Sequence, residues 1–141
     1  MKSVTSLEAE LSIGDVAERT GLSVHALRFY EREGLMLSRH VARGTGGHRR
    51  YTPMDVKWLV LCIKLRASGM PLAQVRRYAC LVREGPGNEQ ERLDLLREQQ
   101  ARVEQQLADL QECLQIITRK VGIYEQHLAD GTTQDPWDVT A

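Results

Sequence analysis

The sequence predicts an all-α protein with a small β-hairpin wing: a winged helix-turn-helix domain followed by a long coiled-coil dimerisation helix. Three observations predict it. Residues 12–34 contain two short capped helices separated by a glycine turn. Residues 35–51 place glycines between two short extended runs. Residues 88–128 repeat apolar side chains at three- and four-residue intervals through five heptads.

Residues 1–11 are a short leader. Ser12 is a good N-cap, and Asp15 three residues on answers it in the manner of a capping box. Ile13, Val16 and Ala17 mark one apolar face. Gly21 breaks that helix and Ser23 caps a second, which turns Val24 and Leu27 inward and stops at Gly34. In a helix-turn-helix the second helix enters the major groove of DNA. Its outward side chains here, His25, Arg28, Phe29, Tyr30 and Arg32, are types that hold phosphates and base edges.

The run Leu35-Met36-Leu37 leads to Gly44, Gly46 and Gly47, then to His48-Arg49-Arg50-Tyr51. Glycines between extended runs predict a hairpin, whose arms carry Arg39, His40, Arg43, Arg49 and Arg50. Thr52-Pro53-Met54-Asp55 opens a third helix with a cap, a first-position proline and a first-turn acid. Val56, Leu59, Val60 and Ile63 are its expected core face, and Trp58, Cys62 and Leu65 form a second apolar stripe. A helix apolar on two faces is covered on both sides or borrows cover from a partner. Ser68-Gly69 ends it. Pro71 starts a fourth helix, with Leu72, Val75, Ala79 and Val82 inward. Gly85-Pro86-Gly87 then breaks the chain, so the first domain is expected to span 12–84.

The repeat beyond it runs through Leu93, Leu96, Gln100, Val103, Leu107, Leu110, Leu114, Ile117, Val121, Tyr124 and Leu128. Such regularity predicts a coiled coil. A helix over 88–128 is about 60 Å long at 1.5 Å per residue. Burying each Leu contributes roughly 1.5–3 kcal/mol, and this chain has no second helix of that length to cover the stripe. A homodimer is therefore expected, with every apolar residue of the repeat at its interface; spacing does not decide between parallel and antiparallel pairing. The tail, 129–141, is polar with one expected hydrophobic anchor, Trp137.

The 141 residues carry no net charge, but the halves differ. Residues 1–85 hold 14 Lys/Arg against 8 Asp/Glu, whereas residues 86–141 hold 5 against 11. A basic front and acidic back predict a polyanion at one end. Three scattered cysteines make no disulfide framework and predict a reducing compartment. No apolar run spans a bilayer and no secretion signal is evident, so a cytoplasmic location without membrane contact is expected. No paired acid and base, nucleophile elbow or phosphate loop argues for an enzyme.

Several stretches together resemble the MerR family of bacterial transcription regulators. They are Ile13-Gly14-Asp15-Val16-Ala17, Thr20-Gly21-Leu22-Ser23, Leu27-Arg28-Phe29-Tyr30-Glu31, Gly34-Leu35 and Gly47-His48-Arg49-Arg50-Tyr51. Leu65-Arg66-Ala67-Ser68-Gly69-Met70-Pro71-Leu72 also fits, and the spacing of Tyr78, Gly85 and the long helix is similar to the aldehyde- and thiol-stress (AdhR/NmlR-like) branch. The resemblance implies an antiparallel coiled-coil dimer. It implies binding to double-stranded promoter DNA between the two elements read by RNA polymerase, with bending and untwisting of an overlong spacer. An effector would then change the angle between the two DNA-binding heads. Carried over by position, Arg28 and Tyr30 contact DNA and His25 lies on the reading face; Arg43, Arg49, Arg50 and Tyr51 grip the backbone. With Ser23, Phe29, Arg39 and His48 these make the candidate DNA-binding set. Two departures stand out: His48 replaces the usual wing tyrosine, and the usual proline is missing around Leu37-Ser38.

Metal-sensing relatives need thiolates close together. No Cys follows Cys113 and there is no C-x-x-C, so no metal or other cofactor is expected. Cys80 is the candidate sensor, one helical turn from Arg76, Arg77 and Arg83, cations that favour a thiolate; the competing expectation is a small residue packed beneath the dimer helix. Cys62 is expected in the core and Cys113 beside the coiled-coil seam. A second possibility is a small-molecule effector held by Trp58, Tyr78 and Tyr124. A third is a constitutive repressor or architectural protein with no effector.

Overall fold

The computed structural model describes residues 10–37, 42–43 and 49–139; of residues 42, 43 and 49 only the backbone is described. Helix α1, Ile13–Thr20, opens on the expected box: Asp15 N–H donates to Ser12 Oγ at 3.1 Å and Ser12 N–H to Asp15 Oδ2 at 3.0 Å. Hydrogen bonding to the carboxyl from the Ser12 backbone N–H, and next from the Ser12 hydroxyl, holds the Asp15 carboxyl below the usual aspartate range. Gly21 ends α1 in the left-handed region, and Ser23 caps α2, Val24–Arg32, through Ala26 N–H at 3.0 Å.

Gly34, at φ +69°, reverses the chain after α2. Leu35 N–H returns to the Tyr30 carbonyl at 3.0 Å and Gly34 N–H to that of Glu31 at 3.2 Å. This is the pairing of a Schellman C-cap, which needs a residue without Cβ at the reversal. Leu35 and Met36 then drop into the core.

Strands β1, Ala42–Arg43, and β2, Arg49–Arg50, pair antiparallel with Ala42 opposite Arg50 and Arg43 opposite Arg49. Leu11 and Tyr51 exchange two backbone bonds of 2.7 and 2.8 Å beside that pair. The expected turn glycines lie outside the described residues, as do Arg39, His40 and His48.

Helix α3, Pro53–Ala67, carries the second capping box, between Thr52 and Asp55. Its buried side chains are Trp58, Leu59 and Cys62. The expected core face through Val60 is corrected: Val60 is 41% exposed. Both apolar stripes contribute to the core, Leu59 and Val56 from the first and Trp58 and Cys62 from the second, and of their residues only Val60 turns out. The Trp58 indole donates to the Leu35 carbonyl at 2.6 Å and stacks on Tyr78, ring centroids 5.7 Å apart and planes 13° apart. Val60 offers neither interaction.

Helix α4, Leu72–Glu84, buries Val75, Ala79 and Leu81, while Leu72 and Val82 pack at the core edge. Arg92 closes its end by donating to the Gly85 carbonyl at 2.6 Å and the Leu81 carbonyl at 3.3 Å. Helix α5, Glu89–Asp130, is the long helix.

The chain divides into two compact units after Gln99, not at the Gly85–Gly87 break. The first turns of α5 belong with the N-terminal unit because Leu95 packs on the core and Gln99 is buried, donating to Ser68 O at 3.1 Å and Ser68 Oγ at 3.0 Å. In the C-terminal unit a 3-10 turn, Pro136–Asp138, follows α5. Lys120 donates to the carbonyls of Trp137 and, at 3.2 Å, Val139. The expected anchor is corrected here too: Pro136 is the buried residue, and Trp137 is 66% exposed.

Replacing Gly34 by Ala forces a Cβ into the left-handed region, although the surrounding space is open. The variant is expected to lose about 1 kcal/mol of stability, read as a lower urea midpoint at unchanged slope.

Candidate nucleic-acid interface

The apolar face of α2 sets what its other face can offer. Leu27 and Tyr30 are buried, so His25, Arg28 and Arg32, three and four residues apart, share the exposed side. Side chains at this spacing stack along one helix face. Here they make a row of one imidazole and two guanidiniums. Ser23 is spent at the helix start as the cap.

Two of the expected contact residues also serve the core. Tyr30 is 8% exposed and Tyr51 1% exposed, so both rings belong to the core. Burial pushes the Tyr30 phenol up from its ordinary value. The Tyr51 hydroxyl donates to Glu31 Oε1, which satisfies a polar group that would be costly to bury alone. Phe29 is half-buried and meets Tyr30 edge to face, centroids 6.1 Å apart. The aromatic residues of the signature thus support α2 from below, leaving its outer face to the charged side chains.

Arg50 is partly exposed, with Nε 3.9 Å from Glu10 Oε2. The side chains of Arg43 and Arg49 lie outside the described residues; their backbones are the paired strands.

Sequence reasoning missed a set of side chains that fix the exit of α2. Four successive carbonyls, Glu33 through Met36, each accept from a side chain of α3 or α4. Arg76 Nε donates to Glu33 O at 2.9 Å, and its Nη2 pairs with Glu33 Oε1 at 2.7 Å. Arg83 Nη1 donates to Gly34 O at 2.8 Å and Met36 O at 2.5 Å. Trp58 holds the Leu35 carbonyl between them. The seven-residue spacing of Arg76 and Arg83 was visible in the sequence; what they hold was not.

Arg83 Nη2 also donates to Cys80 Sγ at 3.2 Å. Of the cations expected around Cys80, Arg83 is the one whose contact with it is observed; Arg77 pairs with Glu91 at 2.7 Å and Arg76 with Glu33. Cys80 is half-buried, Cys113 is exposed and Cys62 is fully buried. Burial pushes the Cys62 thiol up to about 12. Trp58 and Tyr78 stack ring on ring. Tyr124 belongs to the other compact unit.

On α5 the expected seam residues Leu107, Leu110, Leu114, Ile117, Val121, Tyr124 and Leu128 are all exposed, as is Leu93. Leu96 and Val103 are half-buried. No helix of the described residues is long and apolar enough to cross a membrane.

Residues 11–79 match the family model described as MerR HTH family regulatory protein, and residues 56–119 match the one described as MerR, DNA binding. A Haemophilus influenzae protein named an uncharacterized HTH-type transcriptional regulator is 36% identical over 118 residues, 84% of this chain and 86% of that one. The chain belongs to the MerR family. Among its MerR relatives, AdhR of Bacillus subtilis is 31% identical over 66% of this chain and 65% of its own. A crystal structure of HiNmlR, described as a MerR family regulator lacking the sensor domain and bound to promoter DNA, has a TM-score of 0.75. It is 34% identical and covers 87% of this chain and 96% of its own. A structure of a MerR family regulator from Listeria monocytogenes has a TM-score of 0.79 at 28% identity, covering 86% and 90%. These similarities support the AdhR/NmlR branch of the MerR family.

A thiol reagent at mildly alkaline pH is expected to label Cys113 and Cys80 in the folded protein. Cys62 is expected to react only after denaturation. Mass mapping of the labelled peptides checks both statements.

Proposed function

We propose that this MerR-family chain is a transcription regulator that binds double-stranded promoter DNA as a homodimer. The observation that carries the proposal is the exposed row of His25, Arg28 and Arg32 on α2, backed by a face sealed into the core. In this reading α2 enters the major groove and Arg28 reads a base edge. Arg43, Arg49 and Arg50 of the hairpin grip backbone phosphates, together with Arg39 and His48. The promoter-bound HiNmlR structure supports the assignment by similarity.

The open stripe on α5 supports pairing with a second copy. Between Leu107 and Leu128 the stripe leaves seven large apolar side chains in water, with Ile116 exposed beside it, and a second stripe of the same spacing covers them. We read the pair as antiparallel, with two DNA-binding heads on successive turns of one duplex. Held so, the dimer bends and untwists the promoter spacer, a deformation of order 1–6 kcal/mol offset by contacts at both half-sites. RNA polymerase is the partner that uses the corrected spacing.

A specific contact favours Cys80 as the point where a chemical signal enters. Its Sγ accepts from the same guanidinium that holds Gly34 O and Met36 O. An electrophile that adds to this sulfur, with loss of the thiol proton, alters the surroundings of that guanidinium.

Sedimentation is expected to find a dimer for the wild type and a monomer for Leu114→Glu. Arg28→Ala is expected to lose about 1–3 kcal/mol of affinity with relaxed sequence discrimination; undiminished binding would remove α2 from the interface. Cys80→Ser is expected to keep DNA binding and lose the transcriptional response to aldehydes. A response equal to wild type would take Cys80 out of the mechanism.

A further inference from the structure

The run Glu33–Met36 joins the end of α2 to the chain that leads into β1. The carbonyls of Phe29, Tyr30 and Glu31 at the end of α2 are already taken by the N–H groups of Glu33, Leu35 and Gly34; those of Glu33–Met36 belong to the connecting chain, which has no helix ladder to satisfy them. Connecting segments commonly give such carbonyls to water. Here each of the four is taken by a side chain from another element, and Arg76 and Arg83 of α4 supply three of the bonds. The two arginines are seven residues apart, two turns and about 10 Å of one helix. Their spacing lets a single rigid rod bracket the whole exit. Both carry positive charge to the negative end of the α2 dipole.

Core packing at this place does not depend on them. Leu35 and Met36 are buried by their own side chains, Trp58 holds the intervening carbonyl, and Arg76 keeps over a third of its side chain in solvent. What the guanidiniums add is direction. Arg76 engages main chain and side chain of Glu33 together, and Arg83 bridges two carbonyls from one nitrogen. An arginine does this with a planar, preorganised fork that lysine lacks.

We propose that Arg76 and Arg83 are positioning residues for DNA recognition: by gripping the carbonyls of Glu33, Gly34 and Met36 they set the angle at which α2 leaves for the hairpin. The inference rests on the reading that α2 contacts DNA. Neither arginine touches the duplex in this account. Each fixes the relative placement of the groove-reading helix and the strands that follow, which a specific site requires and a non-specific one does not.

The test uses the full chain. A duplex is first selected by the wild type from a random-sequence pool, and a scrambled duplex of the same composition serves as reference. Arg83→Met and Arg76→Met keep the aliphatic stem and remove the donors. Each is expected to weaken binding to the selected duplex about tenfold while binding to the scrambled one stays level, and Arg83→Lys to recover part of the loss. Arg76→Gln, which leaves Arg83 in place, is the milder variant should either Met variant fail to fold, and its expected loss on the selected duplex is smaller but of the same kind. Wild-type affinity in the folded Met or Gln variants overturns the inference and leaves the DNA reading intact. An equal loss on both duplexes that follows the fall in melting temperature overturns it as well, since that is what plain destabilisation gives. Failure of the wild type to enrich any duplex overturns the reading beneath it.

Discussion

The end of α2 is the constraint on which the N-terminal unit turns. A short helix of nine residues is marginal alone, and the carbonyls of the chain that leaves it must be satisfied in a place where Leu35 and Met36 are buried. The solution draws on both helices packed behind it. Trp58 reaches from α3, and Arg76 and Arg83 reach from α4. The same indole stacks on Tyr78, so α3 and α4 are joined by the contact that also holds the exit. Rotate α3 to bury Val60 instead, and the Leu35 carbonyl loses its donor. That carbonyl is one buried polar group that fixes how α3 is turned, since its desolvation costs about 1–3 kcal/mol if it is left unpaired.

From that constraint the exposed face of α2 follows. With Leu27 and Tyr30 held down and Phe29 edge-on against Tyr30, the helix has one free side, and it carries His25, Arg28 and Arg32. The aromatic side chains contribute rigidity and buried area beneath it. Tyr51 serves the same end from the strand side: its hydroxyl meets Glu31 while its backbone pairs with Leu11. The N-terminal segment, the hairpin and α2 are thereby tied through one residue.

Local features were legible in the sequence because their causes are local. The caps at Ser12, Ser23 and Thr52 each act over three residues, and the glycine stops at Gly21 and Gly34 follow from backbone conformation alone. The start of α4 and its inward residues Val75 and Ala79 follow from periodicity. Periodicity was degenerate on α3: both of its stripes reach the core, through Leu59 and through Trp58 and Cys62, and it did not show that Val60 would stay out. It also failed at Trp137, where a large apolar side chain in a polar tail was expected inward; the shorter Pro136 is buried instead. Tyr30 and Tyr51 sit at signature positions, and position does not distinguish a residue that touches a ligand from one that supports its neighbour. The clamp of Arg76 and Arg83 was out of reach for a different reason: its partners lie 43 to 49 residues away along the chain. Gln99 was overlooked because it falls one position off the heptad, next to Gln100, though it is the buried one.

The bare stripe of α5 ties the fate of each polypeptide to its abundance. By mass action, a segment stabilised only when covered by another molecule is sheltered at high copy number and open to proteases at low.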